Sequence, residues 1–228
     1  GGTPCDHQTM AMIIEELNHA GGNIPMAPNL LIMFDVCEFG TPEQIKYAMD
    51  YYKDNGYPPY CLAISEPGAG SDNQGMECLA TRTGDGKVHI NGVKTWVTQG
   101  EHVDGFIVVC KDEDPSRENK NMSMYLVPAN AKGVTIEPLN KIGMQIMPFS
   151  MIHFDDVVID ESDLLGIQGK GFYQLMKNFE WERCVLLAEL LGEAQAAMED
   201  ACAWVNERQQ FGKGIKTFQL VQEHIVEM

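Results

Sequence analysis

A chain of 228 residues with 44% hydrophobic side chains is long enough to bury a substantial core, as one large domain or two small ones. Its formal charge of −17 argues against nucleic acid and anionic membrane as partners, while leaving a basic protein partner open. Apolar runs are short: Leu30–Phe34 stops at Asp35 and Cys184–Ala188 at Glu189, well below the length of a membrane span, so a soluble protein is expected.

The chain opens on Gly1-Gly2-Thr3-Pro4, with no basic, signal-like start. From Gln8 to Ala20, Met10, Ile13, Ile14 and Leu17 recur at helical spacing, and Gly21-Gly22 stops the helix they predict. Asn29 to Phe39 predicts a second, buried helix. Thr41-Pro42-Glu43-Gln44 carries a capping-box pattern with Pro at the first helical position. The third helix should run to about Lys53, before Asn55-Gly56-Tyr57-Pro58-Pro59 ends it.

After Pro59 the pattern changes to strands: Tyr60–Ser65, Cys78–Thr83, Val88–Ile90, Lys94–Thr98, Gly105–Cys110, Ser123–Val127, Val134–Leu139 and Met151–Phe154. Gly84-Asp85-Gly86 and Asn91-Gly92 read as hairpin turns, and Asp112–Lys120 as a charged, solvated loop. Many short strands without intervening helices predict a small antiparallel barrel or sandwich and exclude a Rossmann unit. From Gly171 the helical pattern returns. Phe179, Arg183, Leu186, Leu187, Leu190, Leu191, Ala194, Met198, Ala201 and Val205 mark one broad packing face, ended by Arg208-Gln209-Gln210-Phe211-Gly212. A last helix begins near Thr217 and is still running at Met228, so a fragment is expected. The fold class is α+β: a helical segment over 1–59, an antiparallel, barrel-like β domain over 60–168, and long helices over 169–228.

Seven cysteines (5, 37, 61, 78, 110, 184 and 202) form no CxxC, and six histidines show no ligand spacing. That pattern predicts reduced thiols in a cytosol-like compartment, with no disulfide frame and no metal.

The stretch Tyr60–Asp72, YCLAISEPGAGSD, carries the most chemistry. A strand through Leu62-Ala63-Ile64-Ser65 must run into a small-residue loop, because Pro67 lacks a donor and two glycines open the backbone. Such a loop offers N–H groups and a hydroxyl to an anion with no Cβ in the way. A second block, Trp96-Val97-Thr98-Gln99-Gly100, follows at hairpin distance.

Together these blocks closely resemble the flavin-binding middle domain of the acyl-CoA dehydrogenase family, which carries E-P-G-A-G-S-D and then W-[IV]-T-[NQ]-G on adjacent strands. The resemblance covers essentially the whole chain, including the opening GGTP and the RQQFG segment. It implies FAD, a proton taken from Cα of an acyl-CoA thioester, a hydride passed from Cβ to flavin N5, and electrons delivered to an electron-transferring flavoprotein. The protein's part is to hold ring, thioester and base in line. By motif position, Leu62, Ile64 and Ser65 should line the flavin edge, and Gly70 and Ser71 should reach the pyrophosphate, Ser71 also lying near the CoA arm. Trp96 should pack on the ring, with Thr98 offering a hydroxyl near N5. Arg208, Phe211 and Gln219 match the family's R-x-x-F-G…Q pattern, which contacts the FAD of a neighbouring subunit and implies a homo-oligomer, a dimer of dimers.

In Phe179-Glu180-Trp181-Glu182-Arg183, the resemblance puts Glu180 and Arg183 near the CoA or acyl moiety. Most members carry the catalytic glutamate further towards the C-terminus. The isovaleryl-CoA type instead carries it directly before this arginine, where this chain has Glu182. Plainer readings stand beside these: Trp96 as a core aromatic, Arg208 as surface charge, Glu182 as a solvated helix acid. An oxidase, monooxygenase or enoyl-CoA reductase on the same fold, or a flavin-free acyl-CoA-binding scaffold, are the competing functions. A cytoplasmic location is expected, or the mitochondrial matrix in a eukaryote.

Overall fold

The computed structural model describes residues 5–22, 26–113 and 121–228. Contacts divide the chain into two units, residues 28–179 and residues 1–27 with 180–228.

In the larger unit, helix α2 (Met26–Phe39) leads into α3 (Pro42–Asn55). The predicted capping box closes α3: Gln44 N–H donates to Thr41 Oγ1 at 3.2 Å, and Thr41 N–H to Gln44 Oε1 at 2.9 Å. Gly56 ends the helix in the left-handed conformation, φ 81°. Eight strands follow: β1 (Tyr60–Ala63), β2 (Leu79–Arg82), β3 (Lys87–Thr98), β4 (Gly105–Asp112), β5 (Met122–Pro128), β6 (Val134–Leu139), β7 (Phe149–Asp160) and β8 (Leu164–Leu165). They form one sheet in the order β6-β7-β3-β2-β4-β5-β8, with β1 also paired to β4.

The sheet is antiparallel as expected except along one edge of β4. There β1 pairs with Gly105–Val108 and β2 with Lys111–Asp112, both parallel. The two strands lie one after the other along that edge, so residues 64–78 are an excursion out of a single strand line. That is why a glycine-rich loop can leave the sheet here and return to the same partner.

One face of the sheet closes over Cys61, Ala63, Cys78, Ile90, Phe106, Val108, Tyr125, Phe154 and Val157. Phe106 on β4 meets Phe154 on β7 edge-on at 6.2 Å, so strands far apart in the sheet order face each other across this core. The other face is covered by Ile32 and Val36 of α2, Ala48 of α3 and Leu175, which pack on Ile107, Val109, Met122 and Met124. Each buried Val, Leu, Ile, Phe or Met among them contributes about 1.5–3 kcal/mol, so the two layers dominate the stability of this unit.

Two sequence expectations fail here. Asn91-Gly92 is not a hairpin turn: β3 runs through it with a register shift against β7 between Ile90 and Gly92. Glycine is required by close approach, since a Cβ at Gly92 (φ 149°) would fall 2.6 Å from Cys78 Cα. Asp112 is not solvated. It ends β4, buried, accepting from Ser123 Oγ at 2.5 Å and Tyr125 Oη at 2.8 Å, and burial raises its carboxyl pKa. The rest of the expected loop, 114–120, lies outside the described residues, as does the opening GGTP.

In the smaller unit, α1 (His7–His19) starts at an Asp6 cap whose Oδ1 accepts from Thr9 N–H at 2.7 Å. It packs on helix α4 (Gly171–Glu207), whose first nine residues belong to the larger unit. The approach is close: a Cβ at Gly192 would fall 2.1 Å from the Glu15 carbonyl oxygen. In this unit α4 buries Trp181, Val185 and Ala188, not the leucine stripe expected from the sequence. Leu187, Leu190 and Leu191 stay about 60% exposed, because α1 takes the neighbouring face and no described residue covers theirs. A short hairpin of β9 (Gln209–Gln210) and β10 (Lys213–Gly214) leads to α5 (Gln219–Glu227). No described helix is long and apolar enough to cross a membrane.

Candidate functional site

The junction after β1 forms as the sequence predicts, a strand running into a turn closed on itself. Glu66 N–H donates to Ala69 O at 2.8 Å, and Ala69 N–H returns to Glu66 O at 3.2 Å. An ion pair that sequence reasoning missed fastens this turn from within. Lys94 of β3 is wholly buried, and its Nζ donates to Glu66 Oε1 at 2.7 Å and to Ile64 O at 2.8 Å. Glu66 also accepts the N–H of Cys78 at 3.0 Å. One carboxylate thus ties the start of the excursion to its return, and one ammonium ties both to β3. Leaving either charge buried alone is costly, which holds the loop in one shape. The signal was present in the sequence as a single charged residue in the strand-forming run Val93–Val97.

The second block is brought to the first by a backbone bond, Thr95 N–H to Ser65 O at 2.8 Å. At this point β3 slips register against β7 between Lys94 and Val97, and the bulge turns Trp96 outward. Trp96 is 58% exposed and has φ 58°, so it is not an ordinary core aromatic. Such backbone costs about 1–3 kcal/mol in a non-glycine residue and persists only where surrounding structure enforces it. Thr98, half-buried, ends the strand two residues on. Leu62 and Ile64 are half-buried on the helix-covered face, opposite Cys61 and Ala63.

Gly68 and Gly70 have no positive φ, and a Cβ on either would meet nothing within 4 Å. Nothing within the chain itself therefore calls for glycine at these positions. Gly70 and Ser71 are exposed, and their N–H groups find no backbone acceptor among the described residues. A phosphate arriving here would meet two N–H donors and a hydroxyl with no side chain in the way. An exposed indole and an open anion cradle on adjoining segments fit a ligand that joins a flat ring to an anionic tail.

The remaining candidates lie in the smaller unit. On α4, Glu180 and Arg183 are exposed, while Trp181 between them is buried with the His7 ring 5.9 Å away. Glu182 is half-buried. Burial raises its carboxyl above the ordinary range, with the Arg183 charge pulling the other way. Beyond the helix, Arg208 N–H caps Trp204 O at 2.9 Å, and its own carbonyl accepts from Ile215 N–H at 2.9 Å. Phe211 sits at the hairpin tip with φ 55°, 93% exposed, its ring edge-on to Phe218 at 6.3 Å. Arg208 and Gln219 are exposed too. The predicted residues thus fall into two groups: Leu62, Ile64, Ser65, Gly70, Ser71, Trp96 and Thr98 on one unit, and Glu180, Glu182, Arg183, Arg208, Phe211 and Gln219 on the other.

Comparison with known proteins agrees with this arrangement of elements. Residues 61–157 match the family model "Acyl-CoA dehydrogenase, middle domain" and residues 169–228 match "Acyl-CoA dehydrogenase, C-terminal domain". The chain is 35% identical to the probable acyl-CoA dehydrogenase YdiO of Escherichia coli K12, over all of this chain and 59% of that protein. Among solved structures, an acyl-CoA dehydrogenase from Geobacillus kaustophilus is similar at a TM-score of 0.87 and 30% identity, over 100% of this chain and 60% of that one. Butyryl-CoA dehydrogenase from Megasphaera elsdenii is similar at 0.86 and 28%, over 97% and 58%. The chain therefore spans about three fifths of the length of the relatives it matches.

Proposed function

This chain belongs to the acyl-CoA dehydrogenase family, and on that premise we propose that the protein carrying it is an FAD-dependent enzyme that desaturates an acyl-CoA thioester. The observation that carries the reading is the Lys94-pinned loop Glu66–Asp72 beside the outward-turned Trp96. FAD, when bound, would supply the hydride acceptor. Gly70 and Ser71 would hold its pyrophosphate through N–H groups and a hydroxyl, while Leu62, Ile64 and Ser65 would border the ring. Trp96 would cover the ring with its indole, and Thr98 would offer a hydroxyl to it. Glu182 would take the Cα proton, and Glu180 and Arg183 would orient the CoA ester. The three-part division at residues 59/60 and 168/169 belongs to the same reading, as does a cytoplasmic or matrix location.

Heat-released cofactor from the full-length protein, separated by chromatography, should be FAD. FMN, or no flavin after reconstitution, would overturn the proposal and favour the flavin-free scaffold. Bleaching of the flavin by a panel of acyl-CoAs then identifies the substrate. Reoxidation by an electron-transferring flavoprotein, compared with reoxidation by oxygen, separates a dehydrogenase from an oxidase.

Assembly is part of the proposal. Arg208, Phe211 and Gln219 would complete the FAD site of a neighbouring copy, making the protein a homo-oligomer. Support comes from the 93% exposure of Phe211 and from a guanidinium suited to phosphate oxygens. Arg208→Ala should weaken FAD binding by about 1–3 kcal/mol, the worth of a charge-assisted hydrogen bond, with oligomer and flavin content falling together. An unchanged FAD titration would reduce Arg208 to surface charge.

A further inference from the structure

We propose that Cys78 and Cys110 form a redox modification site inside the β domain, a dithiol that hydrogen peroxide converts reversibly to a disulfide. Their sulfurs lie 3.6 Å apart in the core enclosed by the sheet. The register Leu79↔Lys111 between β2 and β4, stepped back by one, sets Cys78 opposite Cys110, and Lys111 N–H donates to Cys78 O at 2.8 Å. Neighbouring strands are about 4.8 Å apart. That lies within the roughly 4.4–6.8 Å between Cα atoms that a disulfide bridges. Only the sulfurs need to move, closing to about 2.0 Å.

The two thiols are not equivalent. The hydrogen bond between them lowers the Cys78 pKa, whereas for Cys110 burial, the largest cause, and the same hydrogen bond both raise it; burial opposes and the Lys94 charge favours ionisation at both sulfurs. Cys78 is therefore the nucleophile and Cys110 the resolving thiol. Both side chains are fully buried, which excludes glutathione-sized oxidants and leaves a water-sized one. The Cys78 thiolate attacks a peroxide oxygen, the O–O bond breaks, and the departing hydroxide takes up the thiol's proton to give water and a sulfenic acid. The Cys110 sulfur then attacks the Cys78 sulfur, the S–S bond forms, the S–O bond breaks, and the second hydroxide leaves as water with the Cys110 proton. Two thiols are oxidised by two electrons and one peroxide is reduced to two waters.

A disulfide is reversed by thiol exchange, so a small dithiol returns the pair to two thiols. Cys78 has no room to shift towards β3, because Gly92 already presses against it, and its N–H is committed to Glu66. The thiol chemistry itself needs no flavin, so it stands or falls separately from the proposed function.

The test is peroxide treatment of the full-length protein, followed by alkylation under denaturing conditions and mass spectrometry. Digestion with trypsin and a glutamate-specific protease separates Cys61 from Cys78 at Glu77, since the Glu66–Pro67 bond resists cleavage. The expected product is a Cys78–Cys110 linked peptide, lighter by two hydrogens, with two alkylations lost and both restored by dithiothreitol. In Cys110→Ala a dimedone-trapped sulfenic acid on Cys78 should replace the link. Both cysteines remaining alkylatable while exposed Cys5, Cys37 and Cys184 oxidise would overturn the proposal, as would a link from Cys78 to Cys61. Mapping the link in the unsubstituted protein decides the matter even where Cys110→Ala does not fold.

Discussion

Replacing Glu182 by Gln in the full-length protein should slow substrate bleaching of the flavin by about 10²–10⁴, the usual scale for a general base. The variant keeps size and helix propensity and removes the lone pair that would accept the Cα proton. Flavin content and acyl-CoA binding should survive, because Gln still fills the same half-buried place on α4. The pH profile gives a second readout. Burial lifts the Glu182 pKa above that of an ordinary glutamate, and the ionised carboxylate is the reactive form. The bleaching rate should rise with pH through that elevated value and fall away below it, and this limb should vanish in Glu182→Gln. A near-normal stopped-flow rate in the variant would rule Glu182 out, and the base would then be sought in another part of the full-length protein.

Lys94→Met should destabilise the protein by about 3–5 kcal/mol in denaturant unfolding, because it strands a buried carboxylate. The Glu66 side chain is 6% exposed and Lys94 fully buried, so water cannot take the place of the lost ammonium. The carbonyl of Ile64 loses its donor in the same change. Glu66→Gln combined with Lys94→Met should recover part of the loss, since the amide oxygen still accepts the Cys78 N–H and leaves no charge behind. Flavin content should fall in Lys94→Met, as the loop that would cradle the pyrophosphate loses its anchor. A shift under about 1 kcal/mol would mean that the pair contributes little beyond a surface ion pair.

The sequence by itself determined most of the element order and the location of the loop. Capping at Thr41, the glycine stops and the period-2 runs are local, and local rules act within a few residues. Pro67 with its flanking glycines could only be a turn leaving a strand. Asn91-Gly92 misled for the same reason: as a dipeptide it is a turn signal, yet the partner strand β7 and the close approach of Cys78 held it extended within β3. Tertiary structure alone decided the outward turn of Trp96, which depends on where β3 slips against β7, and the pairing of Lys94 with Glu66 across 28 residues. It also chose which stripe of α4 is buried, since Trp181, Val185 and Ala188 are covered, Trp181 lying beside His7 of α1, while the equally apolar leucines beside them are not. Apolar character marks what can be buried. The partner that arrives from elsewhere in the chain settles what is, and for the same reason it set Cys78 opposite Cys110.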